Sequence, residues 1–223
     1  MPGSSWKSVR QLVGDQNASI LDVGCADGDM VEITGLDKIC EVVGVDLHFP
    51  YLKRAKTWDR FSSLLLCSAE HLPFRDKSFD VVMCLEVIEH FDTKEIGRKV
   101  IQQLEAVARR RVIISTPLGL TWQEEYGGNI HQEHKVGWRA VELARLGYQI
   151  HYVGVVETGL IRMVKRGVLA LAGNNGKVLY NREDIKRVQS MKLLDLLLRV
   201  PYYLLGCYVA ANVAGHMICV RDL

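Results

Sequence analysis

The sequence predicts an α/β fold built on one parallel sheet covered by helices on both faces. Two observations carry this. Short, near-continuous apolar runs alternate with stretches of helical period along the first half of the chain, the pattern of strands buried on both sides. Those runs are bounded by Asn, Gly and Asp, as strand ends are.

The elements follow in order. Ala18 to Val23 is an apolar strand between Asn17 and Gly24. Glu41 to Asp46, Ser63 to Cys67, Phe79 to Cys84 and Arg111 to Ser115 are the next four. Helices are expected over Asp27 to Leu36, Tyr51 to Trp58 and Thr93 to Arg109. In the last of these, Ile96, Val100, Ile101, Leu104, Val107 and Ala108 recur at helical spacing. Thr93 reads as its N-cap, and Pro117 closes the strand that follows. Trp138 to Leu146 reads as a further helix stopped by Gly147, and Gln149 to Glu157 alternates like a strand. Gly173-Asn-Asn-Gly176 is a turn signal and Asp184 to Leu198 a helix, within the otherwise unclear stretch 159–200. Gly215 to Arg221 reads as a final strand. There is no internal repeat and no linker, so residues 1–223 are expected to form a single domain.

Composition bounds the function. The chain is 48% hydrophobic and 24% charged with a net charge of +2, ordinary for a globular protein. No basic run of five or more and no evident basic, aromatic-interleaved stretch is present, so a nucleic-acid partner is disfavoured. The six cysteines form no C-x-x-C pair, which argues against a zinc ribbon and fits a reducing cytoplasm. Met1 to Gln16 is mixed and polar, unlike a signal peptide. From Val200 to Gly215 no residue is charged, yet this is short of the roughly 20 residues of a spanning helix. It reads as a buried helix or, with its flank over 193–214, as a peripheral contact with a membrane or a lipid-like substrate.

The first strand ends in Asp22-Val-Gly24-Cys-Ala26-Asp-Gly28. A dinucleotide fingerprint wants glycine five after the first, and Asp29 stands there. The Gly-Lys-Ser/Thr ending of a phosphate loop is missing too. A tight turn of small residues still lets a ligand approach the backbone, and N–H groups entering the next helix suit a carboxylate. Asp46 closes the second strand, where an acid grips a ribose diol. A nucleoside with a carboxylate and no pyrophosphate fits, and S-adenosylmethionine is the common molecule of that kind.

The chain resembles the Rossmann-like (class I) S-adenosylmethionine-dependent methyltransferases, type 11, over about Ser19 to Gly147. The resemblance is carried by Ile20-Leu-Asp-Val-Gly-Cys-Ala-Asp-Gly28, Val43-Gly-Val-Asp46, Ser68-Ala-Glu-His-Leu-Pro-Phe74, Ser78-Phe-Asp-Val-Val-Met-Cys84 and Leu85-Glu-Val-Ile-Glu-His90. It implies a seven-stranded, mostly parallel sheet with an antiparallel last strand. The cofactor-binding core would span 1–147, with C-terminal strands and a helical acceptor-side insertion over 148–223. It further implies that Gly24, Cys25, Ala26 and Gly28 form the methionine turn supported by Asp22. Asp46 would take the ribose, Leu47 the adenine face, Ser68 and Ala69 the adenine edge, and Leu85 the methionine. Two positions depart from the family: Ala26 stands where glycine is commoner, and Ser68 where aspartate usually accepts from the adenine amino group.

The fourth strand runs into Glu86-Val-Ile-Glu89-His90. If a helix starts there, Glu86, Glu89 and His90 share one face. A second cluster, His131-Gln-Glu-His134-Lys-Val-Gly-Trp138, follows the fifth strand. Three readings stay open: helix capping and packing; a general base at His90 or His134, supported by Glu89; and a divalent-metal site of Glu86, Glu89, His90 and either His131 or His134. The metal set is similar to that of small-RNA 2′-O-methyltransferases, and ubiquinone-pathway O-methyltransferases share the Glu-x-x-Glu-His segment. The loop from Tyr126 to Trp138 reads as a substrate lid or as an ordered loop on the next helix. The expected function is methyl transfer to oxygen on a small-molecule or glycan/lipid-type acceptor. The alternatives are a metal-dependent RNA 2′-O-methyltransferase and a non-catalytic cofactor-binding scaffold.

Overall fold

Ile20, Leu21 and Val23 are fully buried, which puts β1 (Ser19–Val23) inside the sheet. The computed structural model describes residues 4–14, 16–119, 123, 128–153 and 216–223. The sheet also holds β2 (Glu41–Asp46), β3 (Ser63–Leu66), β4 (Phe79–Leu85), β5 (Ala108–Pro117), β6 (Gln149–Val153) and β7 (His216–Asp222). Their order is β3-β2-β1-β4-β5-β7-β6. Strands β1 to β5 pair in parallel, and β7 runs antiparallel to both β5 and β6. This is the seven-stranded, mostly parallel sheet expected, with its antiparallel last strand.

Successive residues of a strand face opposite sides, and each side has its helices. Ile20, Val42, Val81 and Ile113 pack with Val9 and Val13 of α1 (Ser4–Val13) and Val31 of α2 (Asp29–Thr34). Leu21, Val82 and Val112 pack with Val100, Ile101, Leu104 and Val107 of α4 (Lys94–Val107) and Leu143 of α5 (Ala140–Arg145). Each of the four α4 side chains contributes about 1.5–3 kcal/mol on burial. The strand order reverses between β1 and β4, and the crevice beyond the strand C-termini at such a reversal is where ligands bind. Val23 pairs with Val45 on one side and Cys84 on the other, so three strands end level there.

Several boundaries differ from expectation for local reasons. Gly28 and Gly35, both left-handed, bound α2 at Asp29–Thr34, and Leu36–Lys38 continues as a 3-10 turn. The second helix, α3 (Phe49–Thr57), starts earlier because Pro50 opens it. Thr93 caps α4 as expected, accepting from the Ile96 N–H at 3.3 Å. That helix ends at Val107 rather than Arg109, because Ala108 pairs with Phe79 and the Arg109 guanidinium reaches Asp80 at 2.5 Å. Trp138 does not open a helix; it bridges to Leu118 and Gly119. α1 was not anticipated. Residues 154–215 lie outside the described residues, and with them the expected helix 184–198, the turn at 173–176 and the surface over 193–214. The first two residues of the expected lid, 126 and 127, lie outside them too. Among the described residues no helix is long and apolar enough to cross a membrane.

Candidate active site

The turn after β1 is fastened to β2. The N–H groups of Gly24 and Cys25 both donate to the Val45 carbonyl, at 2.8 and 3.0 Å. Asp46 Oδ2 accepts from the Ala26 N–H at 2.8 Å, and Oδ1 from the His48 N–H at 2.7 Å. The N–H groups of Gly24, Cys25 and Ala26 are therefore engaged within the protein. An ionised carboxylate has about four acceptor positions, so Asp46 keeps one on each oxygen for a diol. Gly24 has φ +76°, and a Cβ there would lie 2.3 Å from Val87 Cγ2. Ala26 also sits left-handed, at φ +49°, a conformation that strains any residue with a Cβ.

A cavity of about 360 Å³ opens over this turn, within the range of small-molecule clefts. Gly24, Ala26, Asp46, Leu47, Ser68 and Ala69 line it. The Ser68 hydroxyl accepts from the Glu70 N–H at 3.2 Å, holding the loop that faces Leu47. The remaining four expected cofactor residues do not line the cavity. Asp22 lies beneath it, and its Oδ2 has no hydrogen-bond partner. Burial, and next the Asp46 charge, push its carboxyl up to about 7. Cys25 is buried toward Gly44, and burial first, then Asp22, push its thiol up. Gly28 is a packing glycine, because a Cβ there would lie 2.8 Å from Phe61. Leu85 belongs to the core under the sheet.

Glu86, His90 and His131 line the cavity as well. Here the expected helix is not formed. Glu86 turns left-handed at φ +56° and its N–H donates to the Ser115 carbonyl at 3.0 Å, so only a 3-10 turn over Ile88–His90 follows. The Glu86 side chain consequently parts from those of Glu89 and His90. Glu86 Oε1 accepts from the Ser115 hydroxyl at 2.7 Å, and Oε2 lies 3.2 Å from His216 Nε2. Glu89 is buried, and neither carboxylate oxygen has a hydrogen-bond partner. Burial, then the Glu86 charge, raise its carboxyl well above the usual range. His90 Nδ1 donates to the Glu133 carbonyl at 2.9 Å, which leaves Nε2 as the lone-pair nitrogen. Burial, before any other cause, lowers the His90 imidazole.

The second histidine cluster is brought in by backbone. Lys135 and Val136 donate their N–H groups to the Glu89 carbonyl, at 2.9 and 3.1 Å. His134 Nε2 then stands 3.9 Å from Glu89 Oε1, with the His90 and His134 ring centroids 5.0 Å apart. One ligand atom from each of Glu89, His90 and His134 falls within 4.8 Å of the others. Of the five expected metal ligands the structure brings these three together. Glu86 is turned away to Ser115 and His216, and His131 is outside the group.

Residues 21–113 match the family described as a methyltransferase domain. Over those residues the chain is similar to that family. It is 30% identical over 109 residues to the "Probable tRNA methyltransferase 9B" of Mus musculus, covering 48% of this chain and 23% of that protein. It is 28% identical over 90 residues to the ubiquinone biosynthesis O-methyltransferase of Hydrogenovibrio crunogenus, covering 37% of this chain and 36% of that one. The magnesium protoporphyrin IX methyltransferase of Synechocystis, solved with S-adenosylmethionine bound, shares the fold at a TM-score of 0.50 and 20% identity, over 70% of this chain and 73% of that one. The chain spans about a quarter of the length of the tRNA-methyltransferase relatives it matches.

Sequence reasoning missed two polar residues of this site, Ser115 and His216. Both sit in strands that read as plain apolar runs, and His216 lies 130 positions from Glu86. Only the pairing of Pro117 with His216 brings them to one place. It also missed the face of α3, where Lys53 lies over Phe49 and Arg54 over Tyr51, with Arg60 over Trp58 just beyond. The stretch 48–61 is thus an aromatic-interleaved basic segment after all. Two of its cations are paired, Arg54 with Asp27 and Arg60 with Glu32.

Proposed function

We propose that the chain is an S-adenosylmethionine-dependent methyltransferase that methylates a hydroxyl of a small-molecule or glycan/lipid-type acceptor. Asp46 carries this reading: its carboxylate faces the cavity, aimed by two backbone N–H groups, with an acceptor position left on each oxygen. Such a charge-assisted bond to a diol contributes about 1.5–3 kcal/mol. The residues fit the cofactor in two further respects. The Asp22 Oδ2, without a hydrogen-bond partner, suits a nearby cation, and Leu47 offers an exposed aliphatic face to a base. S-adenosylmethionine supplies an electrophilic methyl group on a sulfonium. The chain's own part is to hold donor and acceptor in line and to exclude water, which converts binding into rate. Calorimetric titration tests the reading: Asp46→Ala is expected to weaken S-adenosylmethionine binding at least tenfold, and unchanged binding refutes it.

A second reading, a metal-dependent RNA 2′-O-methyltransferase, is favoured by the Glu89, His90 and His134 cluster and by the cation–aromatic face of α3. Those three residues would hold a divalent cation, a Lewis acid able to polarise an acceptor oxygen. Methyl transfer to an RNA 3′ end that stops on chelation supports it. Indifference to the chelator removes it.

A further inference from the structure

We propose that Glu86, aimed by Ser115 and His216, is the group that receives the acceptor's proton, with His216 as its positioning residue. The inference rests on the O-methylation reading above and names the acceptor-side chemistry of the same cavity. Glu86 lines that cavity together with Asp46. Its backbone is left-handed at φ +56° although it carries a side chain. A strained non-glycine conformation costs about 1–3 kcal/mol and persists where the surroundings over-determine it. They do so here. The Glu86 N–H is shared between the Ser115 carbonyl at 3.0 Å and the Ser115 hydroxyl oxygen at 3.1 Å. The Ser115 hydroxyl donates to Oε1 at 2.7 Å, and His216 Nε2 meets Oε2 at 3.2 Å. Three strand ends, those of β4, β5 and β7, therefore converge on one carboxylate.

That arrangement suits a base better than a packing residue. The carboxylate stays partly open, with 30% of its side chain exposed, and each oxygen retains an acceptor position after its present bond. A hydroxyl brought into the cavity would donate its hydrogen to Glu86. As the acceptor oxygen forms its bond to the methyl carbon, the carbon–sulfur bond breaks and its electron pair stays on sulfur as a neutral thioether. The hydroxyl proton passes to the Glu86 carboxylate. His216 and Ser115 are the groups that aim the carboxylate. The bond to Glu86 raises the His216 imidazole, against the opposing effect of burial. The other titratable groups acting on this carboxylate's surroundings are Glu89 and His90, both coupled to it by charge.

The test pairs binding with transfer. Tritiated S-adenosylmethionine is the probe, cell-extract fractions separated into metabolite, glycolipid and RNA pools are the acceptors, and calorimetry measures donor binding. Glu86→Gln is expected to bind S-adenosylmethionine within threefold of wild type and to lose methyl transfer by about 10²-fold or more, as loss of a general base does. His216→Gln is expected to retain donor binding and to lower the maximal transfer rate about tenfold without raising the KM for S-adenosylmethionine. A merely structural histidine would move donor binding and rate together. Full transfer by Glu86→Gln overturns the proposal, as does an undiminished maximal rate in His216→Gln should the first variant fail to fold. Absence of transfer by the wild-type chain would instead count against the methyltransferase reading itself.

Discussion

The indole N–H of Trp138 donates to the Ile88 carbonyl at 3.0 Å in a fully buried site. With the Lys135 and Val136 N–H bonds to the Glu89 carbonyl, this bond ties the segment after β5 to the 3-10 turn after β4 and sets His134 against Glu89. The ring is seated on Gly97 of α4, where a Cβ would lie 2.6 Å from it. Trp138→Phe keeps most of the packing but orphans the carbonyl, a loss of about 1–3 kcal/mol. Urea unfolding should show that loss, and the His90 and His134 imidazole resonances should shift with it. Unmoved resonances would mean that the histidines are held by something other than this anchor.

The Gly24 position tolerates no Cβ. Alanine there would combine φ +76° with a methyl 2.3 Å from Val87 Cγ2, and Val87 is the residue after Glu86. Gly24→Ala should therefore destabilise the protein by about 1–3 kcal/mol and weaken S-adenosylmethionine binding together with it. A Gly24→Ala, Val87→Ala pair removes the clash but not the backbone strain. It is expected to recover stability in part, as read by thermal unfolding. Full recovery would show that the left-handed conformation carries no cost here.

The sheet was legible because its determinants are local. Apolar runs such as Ile20 to Val23 and Val81 to Leu85 carry their own burial signal, and Thr93 carries its own cap. The turn at Gly24 and the acid at Asp46 were legible for the same reason: each closes a strand. What escaped was set by pairing between distant segments. Helix period suggested that Glu86, Glu89 and His90 share a face, but a hydrogen bond from Glu86 to Ser115, 29 residues away, turns the backbone left-handed first. His216 reaches the site through antiparallel registration with β5, which no spacing in the chain announces. Arg109, read as the last residue of a helix, forms strand because Asp80 meets it across the sheet.

Asp22 gives the stability a pH dependence of definite sign. Its carboxyl is pushed from 3.8 to about 7, first by burial and then by Asp46. An acid that holds its proton more tightly folded than unfolded contributes stability at low pH that is lost as pH rises toward the folded value. Its contribution should thus decline between about pH 4 and pH 7, by an amount on the order of a few kcal/mol. Asp22→Asn should flatten that slope in urea unfolding measured at pH 4.5 and 7.5. A slope unchanged by the substitution would place the titration elsewhere. Under the proposed function a second consequence holds: S-adenosylmethionine, being cationic at sulfur, should release a proton on binding near pH 6.5, while neutral S-adenosylhomocysteine should not. Calorimetry in buffers of different ionisation enthalpy separates the two.

Glu89 poses the sharper choice between a metal ligand and an acid in the core. A buried carboxyl with two unpartnered oxygens costs about 1–3 kcal/mol for the polar group alone, and a cation would offset that cost. If Glu89, His90 and His134 hold one, titration with manganese should show a single equivalent, and saturation should raise the melting temperature. Glu89→Gln should abolish that binding while leaving the metal-free protein as stable as wild type or more so, because it removes a buried acid without changing its shape. His131→Ala should leave manganese binding intact, since that residue lines the cavity but stands outside the three-residue group. If Glu89→Gln binds manganese as well as wild type does, the cluster is no metal site. The raised Glu89 carboxyl is then simply protonated in the core, and the RNA reading loses the observation that best supports it.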